Sequence, residues 1–287
     1  MISSSVETRE LIALGGGGVL LHGTHHKVPD EATGATRPAK ETGVMFMNAL
    51  STPRSLVGES GVYWATSFAA RGYPSFRFDL PGLGDSYGEV PNDLVKYADE
   101  GGWAPVASSK VKELVQSRRL PGVVMFGHCS GATTAIYAAS QCGECKGLIL
   151  LDPYFNLPRS LTPSLRPGLV LWVRRSRTGA ILRAGYDRMR QLREKFHKET
   201  LPANANLPLI SRVKKVISSG LPILIFKAPR PPLREGEFDY FEYLISLAVR
   251  ENQFTVKTIE DTDHSFSNRA GRLAVRQHCE TWLGEHF

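Results

Sequence analysis

Cysteine is scarce in this chain: four in 287 residues, irregularly placed, which is no disulfide framework and agrees with a reducing compartment. Only Cys142 and Cys145 form a spaced pair, and a structural zinc would need two further ligands at matching spacing, which the sequence does not offer. No apolar run approaches the roughly 20 residues of a membrane-spanning helix. The N-terminal stretch is polar and lacks the basic-then-apolar order of a signal peptide, so a cytoplasmic location is expected. Internal repeats are absent, and no glycine-rich loop leads into a helix. The run Gly15-Gly16-Gly17-Gly18 reads as a turn between two strands, not a phosphate cradle. These absences leave an enzyme-sized soluble protein, and a 42% hydrophobic content suffices for a large core.

What is present alternates. Short apolar runs at 11–14, 19–22, 43–47, 74–78, 123–126, 147–151, 223–226 and 254–259 read as strands. Between them, 61–70, 110–118, 132–140, 238–249 and 268–282 carry apolar residues at three- and four-residue spacing. That order predicts an α/β fold, a mostly parallel eight-stranded sheet that opens on a hairpin and carries helices on both faces. Residues 29–40 read as an exposed loop.

One segment departs from the alternation. Residues 157–207 are rich in arginine and proline, with helix-like patterns at 169–172 and 186–196 and no convincing strand. A basic cap or lid insertion is expected there, splitting the core into 1–156 and 208–287. From Arg159 to Glu199 eleven Lys/Arg face three Asp/Glu, an excess of eight that accounts for the whole chain's +7. Such a lid suits a substrate bearing phosphate or carboxylate. The stretch Leu169-Val170-Leu171-Trp172-Val173 before Arg174-Arg175 is read first as a lid helix over the site, with membrane-surface contact on anionic lipid as the less favoured alternative. The positive charge is local and comes with no groove-reading motif or aromatic platform, which argues against nucleic acid. Nothing in the sequence sets an oligomeric state.

The most informative feature is Gly127-His128-Cys129-Ser130-Gly131, set between the apolar run Val123-Val124-Met125-Phe126 and the small-residue helical stretch from Ala132 to Ser140. Strand, sharp turn and helix in that order make a nucleophile elbow with cysteine at its apex. The flanking glycines remove side chains where strand and helix must approach. The helix that follows points its N-terminus at the sulfur, and the partial positive charge there favours thiolate.

A cysteine nucleophile needs a base. Thr262-Asp263-His264-Ser265-Phe266 follows the last strand candidate, where a hydrolase histidine loop falls, and His264 has the near-neutral pKa that taking and returning a proton requires. His22, His25 and His26 form a denser cluster, but on the N-terminal hairpin, far from the carboxyl edge of the sheet. A carboxylate should orient the imidazole. Asp152, at the end of the sixth strand and before Pro153, is the first choice. Glu235 is the alternative, with Glu237 and Asp239 behind it, all after the seventh strand. For the developing oxyanion the elbow supplies the Ser130 N–H, and the loop after the third strand, Asn48-Ala49-Leu50, supplies the Leu50 N–H; a turn merely capped by Asn48 stays open as the other reading.

With these residues in place the chain resembles the α/β-hydrolase superfamily over most of its length. Phe78-Asp79-Leu80-Pro81-Gly82-Leu83-Gly84-Asp85-Ser86 matches that superfamily's Asp-x-x-Gly-x-Gly-x-Ser loop. Within it the chain is similar to the exosortase A system-associated hydrolases, whose elbow also carries cysteine. The likeness lies in Gly72-Tyr73-Pro74, the elbow, Leu150-Leu151-Asp152-Pro153, and Asp263-His264-Ser265-Phe266 with Arg269 following. That family tends to show asparagine where Asp152 stands and aspartate near Pro232, so the resemblance implies an acid moved between strand ends. It implies an α/β-hydrolase fold with a Cys-His-Asp triad, no metal and no cofactor. The expected activity is cysteine-dependent acyl transfer, as thioesterase, esterase or acyltransferase, on a small-molecule or carrier-linked ester or thioester such as a coenzyme A-linked acyl group. The alternative is a non-catalytic hydrolase-fold binding module or a peripheral membrane protein using the basic lid.

Overall fold

A computed structural model describes residues 9–16, 19–29, 40–50, 52–157, 201–231 and 237–287. Eight strands form one sheet: β1 (Arg9–Gly16), β2 (Val19–His26), β3 (Thr42–Met47), β4 (Ser75–Phe78), β5 (Gly122–His128), β6 (Cys145–Leu151), β7 (Ile223–Lys227) and β8 (Phe254–Thr258). They lie in the order β1-β2-β4-β3-β5-β6-β7-β8. β1 and β2 form the expected hairpin, β2 meets β4 antiparallel, and the remaining pairs are parallel. The helices are α1 (Ser60–Ala70), α2 (Leu94–Asp99), α3 (Ala104–Arg118), α4 (Ser130–Ala139), α5 (Leu207–Ser218), α6 (Tyr240–Ser246) and α7 (Arg269–His286).

The sheet is covered on both faces because its central strands carry apolar runs that point to both sides, Val44–Met47, Val123–Phe126, Leu148–Leu151 and Ile223–Phe226. Alternate residues Val44, Phe46, Val124, Phe126, Ile149, Leu151, Leu224 and Phe226 form one buried layer with Trp64 and Phe68 of α1 and Val275, Cys279 and Trp282 of α7. The intervening Met45, Met125, Leu148 and Ile225 are equally buried, on the face where α4 packs on β3, β5 and β6 and α3 packs on β5, with α5 against α4. At about 25 cal/mol per Å2 of apolar surface, these two layers are the main source of stability.

Two helices are not expected from the sequence. α2 is short, its first turn held by the Asp93 carboxylate accepting the Lys96 N–H at 2.9 Å. α5 buries Leu209, Ile210, Val213, Val216 and Ile217, a clear helical spacing just beyond the boundary expected at 207. The chain divides into two compact units: Met1–Tyr154, Leu207–Arg230 and Leu244–Phe287 form the first, Phe155–Asn206 and Pro231–Tyr243 the second. The expected insertion at 157–207 is thus joined by a second segment, after β7, that its sequence position conceals. The helix-like patterns at 169–172 and 186–196 and the basic stretch around Arg174 lie outside the described residues. In the second unit Asn156 bridges Ala205, the Asn206 N–H donates to the Phe155 carbonyl at 2.7 Å, and the Tyr240 hydroxyl bonds Asn156 Oδ1 at 2.6 Å.

At the carboxyl end of β4 the loop from Asp79 to Ser86 winds around a buried carboxylate. Asp79 accepts the Arg54 N–H at 2.6 Å and the Asp85 N–H at 3.1 Å, and pairs with the Arg54 guanidinium. Gly84 has φ +52°, and a Cβ there would lie 2.3 Å from the Asp79 carboxyl carbon, so glycine is required twice over. Asn48 reaches into the same loop, accepting the Leu80 N–H at 3.2 Å while donating to the Thr52 carbonyl at 2.9 Å. Asp79 and Asn48 thereby fix the loop after β3. Asp79→Ala removes the buried partner of the Arg54 guanidinium, which is only 18% exposed and keeps its exposed pair with Asp85, and we expect about 1–3 kcal/mol of destabilisation in urea unfolding. A loss under about 1 kcal/mol would show that the pair is not what holds this edge.

Candidate active site

Cys129 stands between β5 and α4 with φ 53° and ψ −118°. This is the strained turn the pentapeptide predicts, and its two glycines are explained by distance. A Cβ on Gly127 would lie 2.4 Å from the Gly131 carbonyl oxygen, and one on Gly131 would lie 2.5 Å from that of Met47. The Cys129 N–H donates to the Leu151 carbonyl at 2.9 Å, pinning the elbow to the end of β6. The thiol is half-buried and unoxidised.

Asp152 follows β6 directly. Its N–H donates to the Phe226 carbonyl at 2.7 Å and its φ is 44°, a left-handed bend that turns the side chain out of the strand register. The carboxylate, 3% exposed, accepts from His264 Nδ1 at 2.5 Å on one oxygen and from Arg230 Nη2 at 2.7 Å on the other. Because a carboxylate only accepts, Nδ1 carries a proton, and Nε2 is the ring nitrogen left to interact with the thiol, which adds to the raised pKa of the ring. The structure therefore brings Arg230, Asp152, His264 and Cys129 into one row, all within the first unit.

The row sets the charges. The Asp152 hydrogen bond, then the Cys129 hydrogen bond, raise His264 from 6.5 to about 10 against the opposing effect of burial. Burial works against the Asp152 charge, but the His264 and Arg230 hydrogen bonds outweigh it and hold the carboxyl below its usual value.

Four residues to which the sequence assigns no role act here. His128 packs its ring 4.9 Å from that of His264, and its Nε2–H donates to the His264 carbonyl at 2.7 Å. Burial lowers it to about 4, so it stays neutral and serves as a fixed tether. Arg230 falls in the loop after β7 where a carboxylate is the alternative expectation, and pairs with the acid on the neighbouring strand. Tyr154 has its hydroxyl pushed up by burial, then by Asp99, with a smaller contribution from Cys129. Phe266, wholly buried at φ 51°, anchors the histidine loop in the core.

The remaining candidates are placed as follows. Asp263 accepts the Ser265 N–H at 2.9 Å and shapes the loop without facing the ring of its neighbour. Asp239 caps α6, accepting from the Phe241 and Glu242 N–H groups at 2.8 and 3.1 Å. Glu235 lies outside the described residues. Leu50 differs from expectation: its N–H is not open to a ligand but donates to Ser130 Oγ at 2.8 Å. His26 is buried and bonded to Thr66 and Arg77, and His25 stacks on Phe76 at 4.4 Å, so the histidine cluster of β2 is spent on packing. Cys142 and Cys145 are buried thiols, pushed up to about 11 and about 12 by burial. Among the described residues no group of three or more His, Cys, Asp or Glu is arranged to hold a metal ion.

A family model described as the alpha/beta hydrolase family matches residues 19–276. No curated protein matches the sequence significantly. Among solved structures, DcsB in complex with its substrate analogue superposes with TM-score 0.62 at 14% identity, covering 97% of this chain and 100% of that one. An esterase from Pyrococcus furiosus gives 0.62 at 12% identity, covering 97% and 91%. An alpha-beta serine hydrolase homologue from Coxiella burnetii gives 0.58 at 13%, covering 98% and 100%. At such identities the likeness is one of fold.

The His264 environment gives a signed expectation. A group raised from 6.5 to about 10 stabilises the folded state fully below pH 6.5, and that contribution vanishes as pH rises through about 10. Imidazole NMR should place the His264 midpoint near 10, with Asp152→Asn lowering it most and Cys129→Ala by a smaller step. The melting-temperature gap between parent and His264→Gln should close on the alkaline side. A midpoint at the ordinary histidine value in the parent would contradict the hydrogen-bonded row.

Proposed function

Since the chain belongs to the alpha/beta hydrolase family, we propose that it is a cysteine-dependent acyl-transfer enzyme acting on esters or thioesters through an acyl-Cys129 intermediate. One observation carries the reading: the His264 ring is bonded through Nδ1 to the buried Asp152 carboxylate, and the thiol of the strained turn at Cys129 contributes to the ring's raised pKa.

Cys129 Sγ adds to the carbonyl carbon as the thiolate of an ion pair in which His264, raised to about 10, already carries the proton on Nε2. The carbonyl oxygen becomes an oxyanion at the start of α4, where the first main-chain N–H groups of a helix have no intrahelical acceptor. The intermediate collapses, the bond to the alcohol or thiol leaving group breaks, and His264 returns the proton to that group. Water or an amine then attacks the thioester carbon, His264 takes the attacking proton, and Cys129 leaves as the thiolate beside the restored imidazolium. Asp152 keeps Nδ1 protonated and stabilises the imidazolium, and Arg230 keeps Asp152 ionised.

A thioester passes its acyl group to amines and thiols more readily than an oxygen ester does, which supports transferase activity beside hydrolysis. The basic excess of residues 159–199 and the half-exposed Arg230 guanidinium support an anionic substrate, such as a coenzyme A- or carrier-linked acyl group. The resemblance to hydrolases of the exosortase A system, whose elbow also carries cysteine, supports the choice of nucleophile and says little about the substrate.

Aryl esters and acyl thioesters, each with and without added amine, test the proposal. Intact-protein mass spectrometry should find one acyl group on Cys129, and Cys129→Ala should lose at least about 10^3-fold in turnover. Turnover unchanged in Cys129→Ala, with no adduct in the parent, refutes it.

A further inference from the structure

The Leu50 N–H that a hydrolase of this fold would offer to an oxyanion is bonded within the protein, to Ser130 Oγ at 2.8 Å. Ser130 is 1% exposed and is the first residue of α4. The contact is built by close approach. With no side chain on Gly131, the first turn of α4 presses on the end of β3, where a Cβ would lie 2.5 Å from the Met47 oxygen and 2.9 Å from that of Asn48. The loop carrying Leu50 is fixed from its other side by Asn48, which is 2% exposed and bonded to Leu80 and Thr52.

A serine hydroxyl has one proton to donate and two lone pairs. Accepting from Leu50 uses a lone pair and leaves the proton available. The main-chain N and Oγ of one serine stand roughly 3 Å apart, near enough to converge on a single oxygen. We propose that Ser130 supplies two donors to the oxyanion, its main-chain N–H and its side-chain hydroxyl, and that the Leu50 N–H acts through that hydroxyl instead of touching the substrate.

This rests on the acyl-transfer reading and names a further catalytic residue within it. Ser130 forms no covalent bond, and its proton stays on Oγ throughout. Leu50 N–H to Ser130 O–H to oxyanion is a two-bond relay, in which each donor polarises the next, so it strengthens as negative charge builds in the transition state.

Two reactions of the same sulfur separate the roles. Acylation by p-nitrophenyl acetate passes through an oxyanion. Alkylation by iodoacetamide displaces iodide at a saturated carbon and does not. Ser130→Ala should acylate about 100-fold more slowly than the parent while its alkylation rate changes by no more than about twofold, and Ser130→Thr, which keeps the hydroxyl, should recover most of the acylation rate. Acylation by Ser130→Ala at or above the parental rate overturns the inference, making the hydroxyl a cover over Leu50. Equal losses in both reactions overturn it too, making Ser130 a support for the thiol. A parent that is alkylated but never acylated overturns the acyl-transfer reading, and this inference with it.

Discussion

Cys129 is held at φ 53° and ψ −118°, a backbone conformation that L-residues avoid and that costs of order 1–3 kcal/mol. The surrounding structure sustains it. β5 enters the turn and α4 leaves it, the Cys129 N–H is bonded to the Leu151 carbonyl, and two glycines admit backbone atoms that any side chain would exclude. Everything else at the site is positioned from this turn. It lifts the sulfur out of the sheet, sets the Ser130 N–H at a helix start, and lets α4 lie against the end of β3, where Leu50 meets the Ser130 hydroxyl.

Around the thiol, two histidines with rings 4.9 Å apart are driven in opposite directions. His264, half-exposed and bonded to a carboxylate, is raised to about 10; His128, buried and bonded to a carbonyl, is lowered to about 4. Their environments set them apart, one ring held charged by a carboxylate and the other held neutral while it bonds its neighbour's backbone. Arg230 completes the arrangement by occupying the Asp152 oxygen that His264 does not use. The carboxylate that meets His264 therefore sits after β6, and the loop after β7 contributes a cation.

Much of this is legible in the sequence. The pentapeptide announces its turn because only glycine fits at 127 and 131, and the runs 123–126, 147–151 and 223–226 are apolar throughout because helices cover both faces. Asp152 and His264 stand out as polar residues at strand ends. His128, Arg230 and Tyr154 do not, because their meaning lies in partners 136, 78 and 55 positions away. A donor such as the Leu50 N–H carries no side-chain signature, so its direction toward Ser130 is visible only in three dimensions. α5 is hidden for a different reason: its apolar spacing adjoins an arginine-rich segment, whose composition obscures where the helix begins.

The central claim is that the imidazole held by Asp152 makes the elbow thiol a nucleophile. The second-order rate constant for carboxymethylation of Cys129 at neutral pH, compared between the parent and His264→Ala, addresses it most directly, since no substrate need be known. The account predicts a rate at least about tenfold lower in His264→Ala. Equal rates would mean that the sulfur owes its reactivity to nothing in the row, and the account would fail.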